Sequence, residues 1–222
     1  MPKAPAPIDL SGDRDIEWAF ICSRIPAKEG YLLDFGCGHG NLSMQAIQRG
    51  YEVLAVDLQA HRFLWDHPKL KIVAGDLLAL NLPESSFDVI LNCSTVEHVG
   101  LSGRYGVDVP ETDGDLTAMS LMRRLLKPKG CMLMTIPCGR DAVIVPWHRV
   151  YGAKRLPRLL AGFEVLDEQY WVKRSDNRWQ PSDKEAALNF FPTGHPAEGT
   201  KCSYALGCFV LSPKQTTGSN DS

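Results

Sequence analysis

Leu33-Asp34-Phe35-Gly36-Cys37-Gly38-His39-Gly40-Asn41 joins a short apolar run, Tyr31 to Asp34, to a segment with helical character, Asn41 to Arg49. Three alternate glycines at such a junction let the backbone turn sharply and let a ligand approach it closely. The amino end of the following helix favours an anion or a carboxylate. The loop alone therefore suits a nucleotide-like cofactor, and fits a dinucleotide pyrophosphate as well as an amino-acid carboxylate.

Outward from the loop, the chain alternates strand and helix. Glu52 to Asp57 reads as a second strand, buried on both faces, and Gly50 ends the helix before it, which makes a right-handed βαβ unit. Lys71 to Asp76, Phe87 to Asn92 and Cys131 to Ile136 read as three more strands. Asp115 to Leu126 is a helix with an apolar stripe, stopped by Pro128 and Gly130. This alternation predicts an α/β, doubly wound sheet. Beyond Pro137 the rhythm changes. A helix is expected at Lys154 to Leu160, then strands at Phe163 to Val172 and Tyr204 to Leu211 with no crossover helix between them, hence an antiparallel ending. The intervening 173–200 is an insertion, in which Ser182-Asp183-Lys184-Glu185 has the form of a capping box. The expected organisation is an N-terminal helical segment, 1–30, one α/β domain, 31–212, and a disordered polar tail, 213–222.

The 222 residues suffice for one domain with a buried core. A net charge of −2 with a pI near 6.3 offers no basic face, so no nucleic-acid partner is expected. No run approaches the roughly 18 apolar residues of a membrane span, and the first ten residues carry no signal-like apolar run. A cytoplasmic protein without a membrane partner is expected. Seven cysteines without a Cys-x-x-Cys pair suit reduced thiols, and no metal site is expected.

Three details turn the loop toward S-adenosylmethionine (SAM). The dinucleotide pattern needs glycine at 41, where this chain has Asn41. Asp34 puts a carboxylate beside the loop, which attracts a cationic amino group and repels a pyrophosphate. Asp76, ending the third strand, is an acceptor suited to an adenine amino group. Asp57 suits ribose hydroxyls in either cofactor class.

On these residues the chain resembles class I SAM-dependent methyltransferases. The order continues with Gly75-Asp76-Leu77, Phe87-Asp88-Val89-Ile90 and Leu125-Leu126-Lys127-Pro128-Lys129-Gly130. The resemblance implies a Rossmann-like, seven-stranded, mostly parallel sheet with the last strand reversed. It also implies SAM held by Asp57 and Leu58 at the ribose, by Asp76 and Leu77 at the adenine, and by the backbone of Gly36, Cys37 and Gly38 with Asp34 and Asn92 or Cys93 at the methionine portion. Phe35 and Cys37 equally suit packing.

Methyl transfer needs positioning, plus a base when the acceptor is a hydroxyl or ammonium. His98, just past the fourth strand, is the first candidate base, with lining of the cofactor pocket as its alternative role. His148, in Trp147-His148-Arg149-Val150-Tyr151, is the second, or else holds its loop. The glycine-rich segment from Leu101 to Asp115 reads as a lid. With Glu97-His98-Val99-Gly100-Leu101 and Arg104-Tyr105-Gly106 it is similar to an uncharacterised methyltransferase-like family associated with polysaccharide and sugar-modification genes. That similarity suggests a glycosyl acceptor, with Arg104, Tyr105 and Asp115 reading hydroxyls, although Arg104 and Asp115 equally fit a loop ion pair. Trp171, Trp179, Phe190, Phe191 and His195 suit stacking on an acceptor, fastening the insertion to the sheet or a dimer contact. The expected activity is SAM-dependent methyl transfer to O or N of a small molecule, with a non-catalytic SAM-binding module as the alternative. A nicotinamide reductase would need Tyr-x-x-x-Lys, and Tyr151-Gly152-Ala153-Lys154 has the wrong spacing.

Overall fold

The computed structural model describes residues 12–59, 63, 65–103, 105, 107–174, 178–194, 198 and 202–215. Most of the expected 213–222 tail, together with Arg104 and His195, lies outside them.

Five parallel strands form the trunk: β1 (Gly30–Phe35), β2 (Tyr51–Asp57), β3 (Leu70–Ala74), β4 (Phe87–Cys93) and β5 (Leu126–Cys138). Helix α1 (Arg14–Arg24) precedes them, α2 (Asn41–Gln48) links β1 to β2, and α3 (Gly114–Leu125) links β4 to β5. A hairpin of β6 (Ala142–Ile144) and β7 (His148–Val150) follows, then α4 (Arg155–Leu159), β8 (Phe163–Lys173), β9 (Trp179–Ser182), α5 (Lys184–Asn189) and β10 (Ala205–Pro213). The sheet order is β3-β2-β1-β4-β5-β10-β8-β9, with β10 antiparallel to both neighbours. This is the expected Rossmann-like arrangement with its last strand reversed, here with one further strand at the edge.

Adjacent residues of β1 explain why the sheet is covered on both sides. Leu32 and Leu33 point to opposite faces, and each is fully buried in a different core cluster. One cluster includes Phe20 and Ile21 of α1 and Ala46 and Ile47 of α2. The other includes Met119, Met122 and Leu125 of α3 with Leu156 and Leu159 of α4. Each helix buries residues at helical spacing, as an amphipathic layer must.

Four local readings need correction. β5 begins at Leu126, directly after α3, so the helix stops at Leu125 and Pro128 lies within the strand. The pairing with β4 slips between Phe87 and Val89 at this point, and an irregular ladder accommodates a residue with no N–H to donate. β9 is the eighth strand, and its Trp179-Gln180-Pro181-Ser182 lacks strand alternation because a proline-bearing edge needs only one partner. The β6–β7 hairpin makes His148 a strand residue rather than a loop residue. In the insertion Asp183, not Ser182, caps α5, its carboxylate accepting from Ala186 N at 2.8 Å. Among the described residues no helix is long and apolar enough to cross a membrane.

Truncating Leu32 to alanine should cost about 2–5 kcal/mol of folding stability, as for other fully buried leucines. Urea denaturation checks this, and a loss under 1 kcal/mol would contradict the two-sided core.

Candidate active site

Because β1 to β4 are parallel, their carboxyl ends lie on one edge of the sheet, where ligands bind in such folds. A cavity of about 490 Å³ opens there. Its wall contains Phe35, Gly36 and Gly38 after β1, Asp57 to Gln59 after β2, and Gly75 to Leu78 after β3. Cys93 to Thr95 and His98 after β4 complete one side, and Tyr105, Val107, Val109 and Glu111 from the lid segment complete the other.

The glycine loop is fixed by backbone bonds: Gly36 N donates to Val56 O at 2.8 Å, and Gly40 N to Cys37 O at 2.9 Å. Gly36 has φ +70°, and a Cβ there would stand 2.2 Å from the Thr95 side chain, so only glycine fits. Gly38 has φ +53° with open space where a Cβ would be, which leaves a hollow on the cavity wall. Its N–H donates to Asp57 Oδ2 at 2.9 Å, and Gln59 N donates to Oδ1 at 2.7 Å. Asp57 thus ties the loop after β1 to the loop after β2 while lining the cavity. Asp76 Oδ1 accepts from Leu78 N at 2.9 Å and caps a 3₁₀ turn, Leu77–Ala79, which brings Leu77 to the wall.

Other expected residues stand behind this wall. Asp34 is buried and accepts from Ser43 Oγ of α2 at 2.6 Å. Burial raises its carboxyl to about 6, opposed by the Ser43 bond and reinforced by Asp57. Cys37 is outside the lining, its thiol pushed up by burial and by the two neighbouring aspartates. Asn92 is fully buried, and its Oδ1 accepts from Val96 N at 3.1 Å, holding the turn Val96–His98 that carries His98.

Of the two histidines, His98 lines the cavity and His148 stands behind it, with ring centroids 6.4 Å apart. His98 Nδ1 meets the Trp147 carbonyl, which only accepts, so Nδ1 carries hydrogen and Nε2 is the basic nitrogen. Nε2 is 3.8 Å from Glu97 Oε1, and the Tyr105 ring lies edge-on to His98 at 5.5 Å. His148 packs against Tyr204 at 5.3 Å.

Asp115 faces away from the cavity. It is buried and accepts from Tyr151 Oη at 3.0 Å and Arg155 Nε at 2.9 Å. Arg149, also buried, donates to the carbonyls of Val99 at 2.6 Å, Glu111 at 3.1 Å and Thr112 at 3.2 Å, clamping both ends of the lid segment to the β6–β7 hairpin. Trp171 and Trp179 pack on the core cluster of α1 and α2, and Phe190 packs on the opposite one, so these aromatics fasten the insertion. Phe191 is exposed.

Sequence reasoning missed the contribution of α1. Arg14 lines the cavity. Its Nη1 donates to Glu17 at 2.7 Å, and Glu17 also accepts from Thr135 Oγ1 at 2.8 Å and from Ser94 Oγ. Ser94 sits at φ +47°, an unfavourable conformation for serine that this bonding accompanies. The available signal was Glu17 itself, a charge on the apolar stripe that contains Phe20 and Ile21. Among the described residues no group of three or more His, Cys, Asp or Glu is placed to hold a metal ion.

This is the fold of class I methyltransferases. Solved structures that share it include the N-methyltransferase NodS from Bradyrhizobium japonicum WM9 in complex with S-adenosylhomocysteine, with a TM-score of 0.59, 16% identity and coverage of 91% of this chain and 88% of that one. Another is the 1,6-didemethyltoxoflavin-N1-methyltransferase of Burkholderia thailandensis, with a TM-score of 0.56, 18% identity and coverage of 91% and 82%. Residues 38–187 match the family described as "Caenorhabditis protein of unknown function, DUF268", and the chain belongs to that family. It is 30% identical over 152 residues to a probable S-adenosylmethionine-dependent methyltransferase of Mycolicibacterium smegmatis, covering 61% of this chain and 52% of that protein. It is 27% identical over 191 residues to a counterpart in Mycobacterium tuberculosis, covering 72% and 63%. The chain therefore spans little more than half the length of these curated relatives.

Asp34 yields a signed pH test. Its folded-state value lies above the unfolded 3.8, so folding takes up a proton between about pH 4 and 6. Stability present below the unfolded value is then lost as pH rises through about 6. Asp34→Asn, which keeps an acceptor for Ser43, should stabilise the chain by on the order of 1–3 kcal/mol at pH 8 and by nothing measurable below about pH 4. Paired urea titrations at the two pH values check it, and destabilisation at pH 8 would show that the ionised form is the favoured one.

Proposed function

We propose that the chain is a SAM-dependent methyltransferase that acts on O or N of a small molecule, with a sugar or sugar-bearing acceptor as the first class to test. The observation that carries this reading is the convergence of the Gly38 hollow, the Asp57 carboxylate and the Asp76–Leu77 turn on one cavity. The names of the curated relatives and the fold shared with methyltransferases support it. The sugar class rests on the sequence similarity of the lid segment alone.

The residues present fit the cofactor chemically. Asp57 retains acceptor capacity for vicinal hydroxyls, since each of its oxygens accepts one backbone bond. Asp76 and Leu77 offer an acceptor and an apolar surface for a purine, and the loop backbone with Arg14 offers donors and a cation for an amino-acid carboxylate. When bound, SAM supplies an electrophilic methyl group. The chain's own part is to hold donor and acceptor in line, exclude water with the clamped lid, and take up a proton at His98 Nε2. Tyr105 and Glu111, on the lid side of the cavity, are the polar groups assigned to the acceptor. Asp115 is spent on Arg155 and Tyr151, which removes it from acceptor recognition. A cytoplasmic setting belongs to the same proposal, and the seven cysteines, all present as free thiols, support it.

Calorimetry with SAM, S-adenosylhomocysteine and NAD tests the reading. Binding of the first two, weakened about 10- to 100-fold by Asp57→Ala through loss of charged hydrogen bonds, is the expected result. Tight NAD binding without SAM binding would overturn it. In a screen of hydroxyl- and amine-bearing sugars that reads out S-adenosylhomocysteine, His98→Ala should lower turnover at least 100-fold. Near-normal turnover would remove His98 as the base, and SAM binding without turnover would favour a binding module.

A further inference from the structure

Glu97 is a buried acid that cofactor binding does not use. It precedes His98 in the turn Val96–His98 and is 1% exposed. Oε1 faces His98 Nε2 at 3.8 Å, while Oε2 has no hydrogen-bond partner among the described residues. A carboxylate so placed is costly to ionise unless a cation forms beside it, and the imidazole of His98 is the group positioned to become one.

The separation is held from several sides. Arg149 Nη1 donates to the carbonyls of Glu97 and Val99, Asn92 holds the N–H of Val96, and His98 Nδ1 meets the Trp147 carbonyl. We propose that Glu97 and His98 hold a proton as one unit on the cavity wall, with Glu97 a positioning residue that sets when His98 is able to accept one. The catalytic consequence rests on the methyltransferase reading above.

The charges around Glu97 favour this arrangement. From the α1 side, Glu17 and Asp13 disfavour its ionised form and Arg14 favours it. Tyr151 after β7, Tyr204 before β10 and the buried Cys138 thiol of β5 are further titratable groups, among the described residues, that interact with it. Burial dominates and raises the Glu97 carboxyl to about 8. At neutral pH the pair then carries one proton and no net charge, and it titrates as a unit. Above that range Glu97 is ionised. A proton taken from an acceptor hydroxyl or ammonium arrives at His98 Nε2, and the carboxylate neutralises the imidazolium until the proton passes to water.

NMR of the full chain, without any ligand, tests the pairing. With labelled histidine, and His98 assigned by comparison with His98→Gln, the ring signals of the unaltered chain should show a step near pH 8. In Glu97→Gln that step should disappear. Identical His98 titrations in the two chains would overturn the proposal. Should Glu97→Gln fail to fold, labelled glutamate decides: the Glu97 carboxyl should titrate near 8 in the unaltered chain and move upward in His98→Gln, and a carboxyl unmoved by that change would overturn it. Neither measurement uses SAM, so failure of cofactor binding by calorimetry and failure of the pair remain separate results.

Discussion

The Glu17 carboxylate ties a helix to the adjoining carboxyl ends of β4 and β5. It comes from α1, yet Ser94 after β4, Thr135 of β5 and the guanidinium of Arg14 all donate to it. Burial pushes its carboxyl up, and the Arg14 charge and the two hydroxyls oppose that shift. Such a group is tolerable only while all of its donors are in place. The position of α1, the left-handed turn at Ser94 and the presence of Arg14 in the cavity therefore form or fail together.

Buried carboxylates recur around the site, each handled differently. Asp57 is partly open and receives two backbone N–H groups. Asp34 is closed off and receives one hydroxyl, so it tends toward the neutral acid. Asp115 is matched by Arg155 and Tyr151 and serves architecture. Glu97 is closed off like Asp34, but one of its oxygens faces the His98 imidazole at 3.8 Å. The acid that receives N–H donors and faces the cavity is suited to binding, and the buried acid beside a cavity-lining imidazole is suited to moving protons.

The trunk of the fold was legible in the sequence because it follows one simple rule. Strands buried on both faces, separated by amphipathic helices, leave apolar runs such as Leu32-Leu33 and Val53 to Val56, and the acids that end them mark the binding edge. Of the residues named from the sequence, Gly36, Gly38, Asp57, Leu58, Asp76, Leu77, Cys93 and His98 lie together on one wall of the cavity. The edge was less legible. β9 carries a proline and no alternation, since a strand with one partner and one exposed margin is under weaker constraint. Asp34 and Asn92 show a different limit, because a strand-end position does not reveal whether a side chain points into the crevice or behind it. Arg14 was hidden for a third reason: its role depends on where α1 docks, which is a tertiary fact with no local pattern.

The reversed last strand has a consequence for how the molecule is made. β10 lies between β5 and β8, so β8 and β9 have no place on the trunk until residues 205–213 have left the ribosome. Up to that moment the edge of β5 is bare, and the β8–β9 ladder has only itself. Pairing across such sequence distances is slow, and it leaves strand edges open meanwhile. The aromatics that fasten the insertion, and the Tyr204 hydroxyl that reaches Asp13 at 2.5 Å, close only after that wedge is driven in. The segment that brings Tyr204 against His148 therefore joins the sheet only after the trunk strands are made.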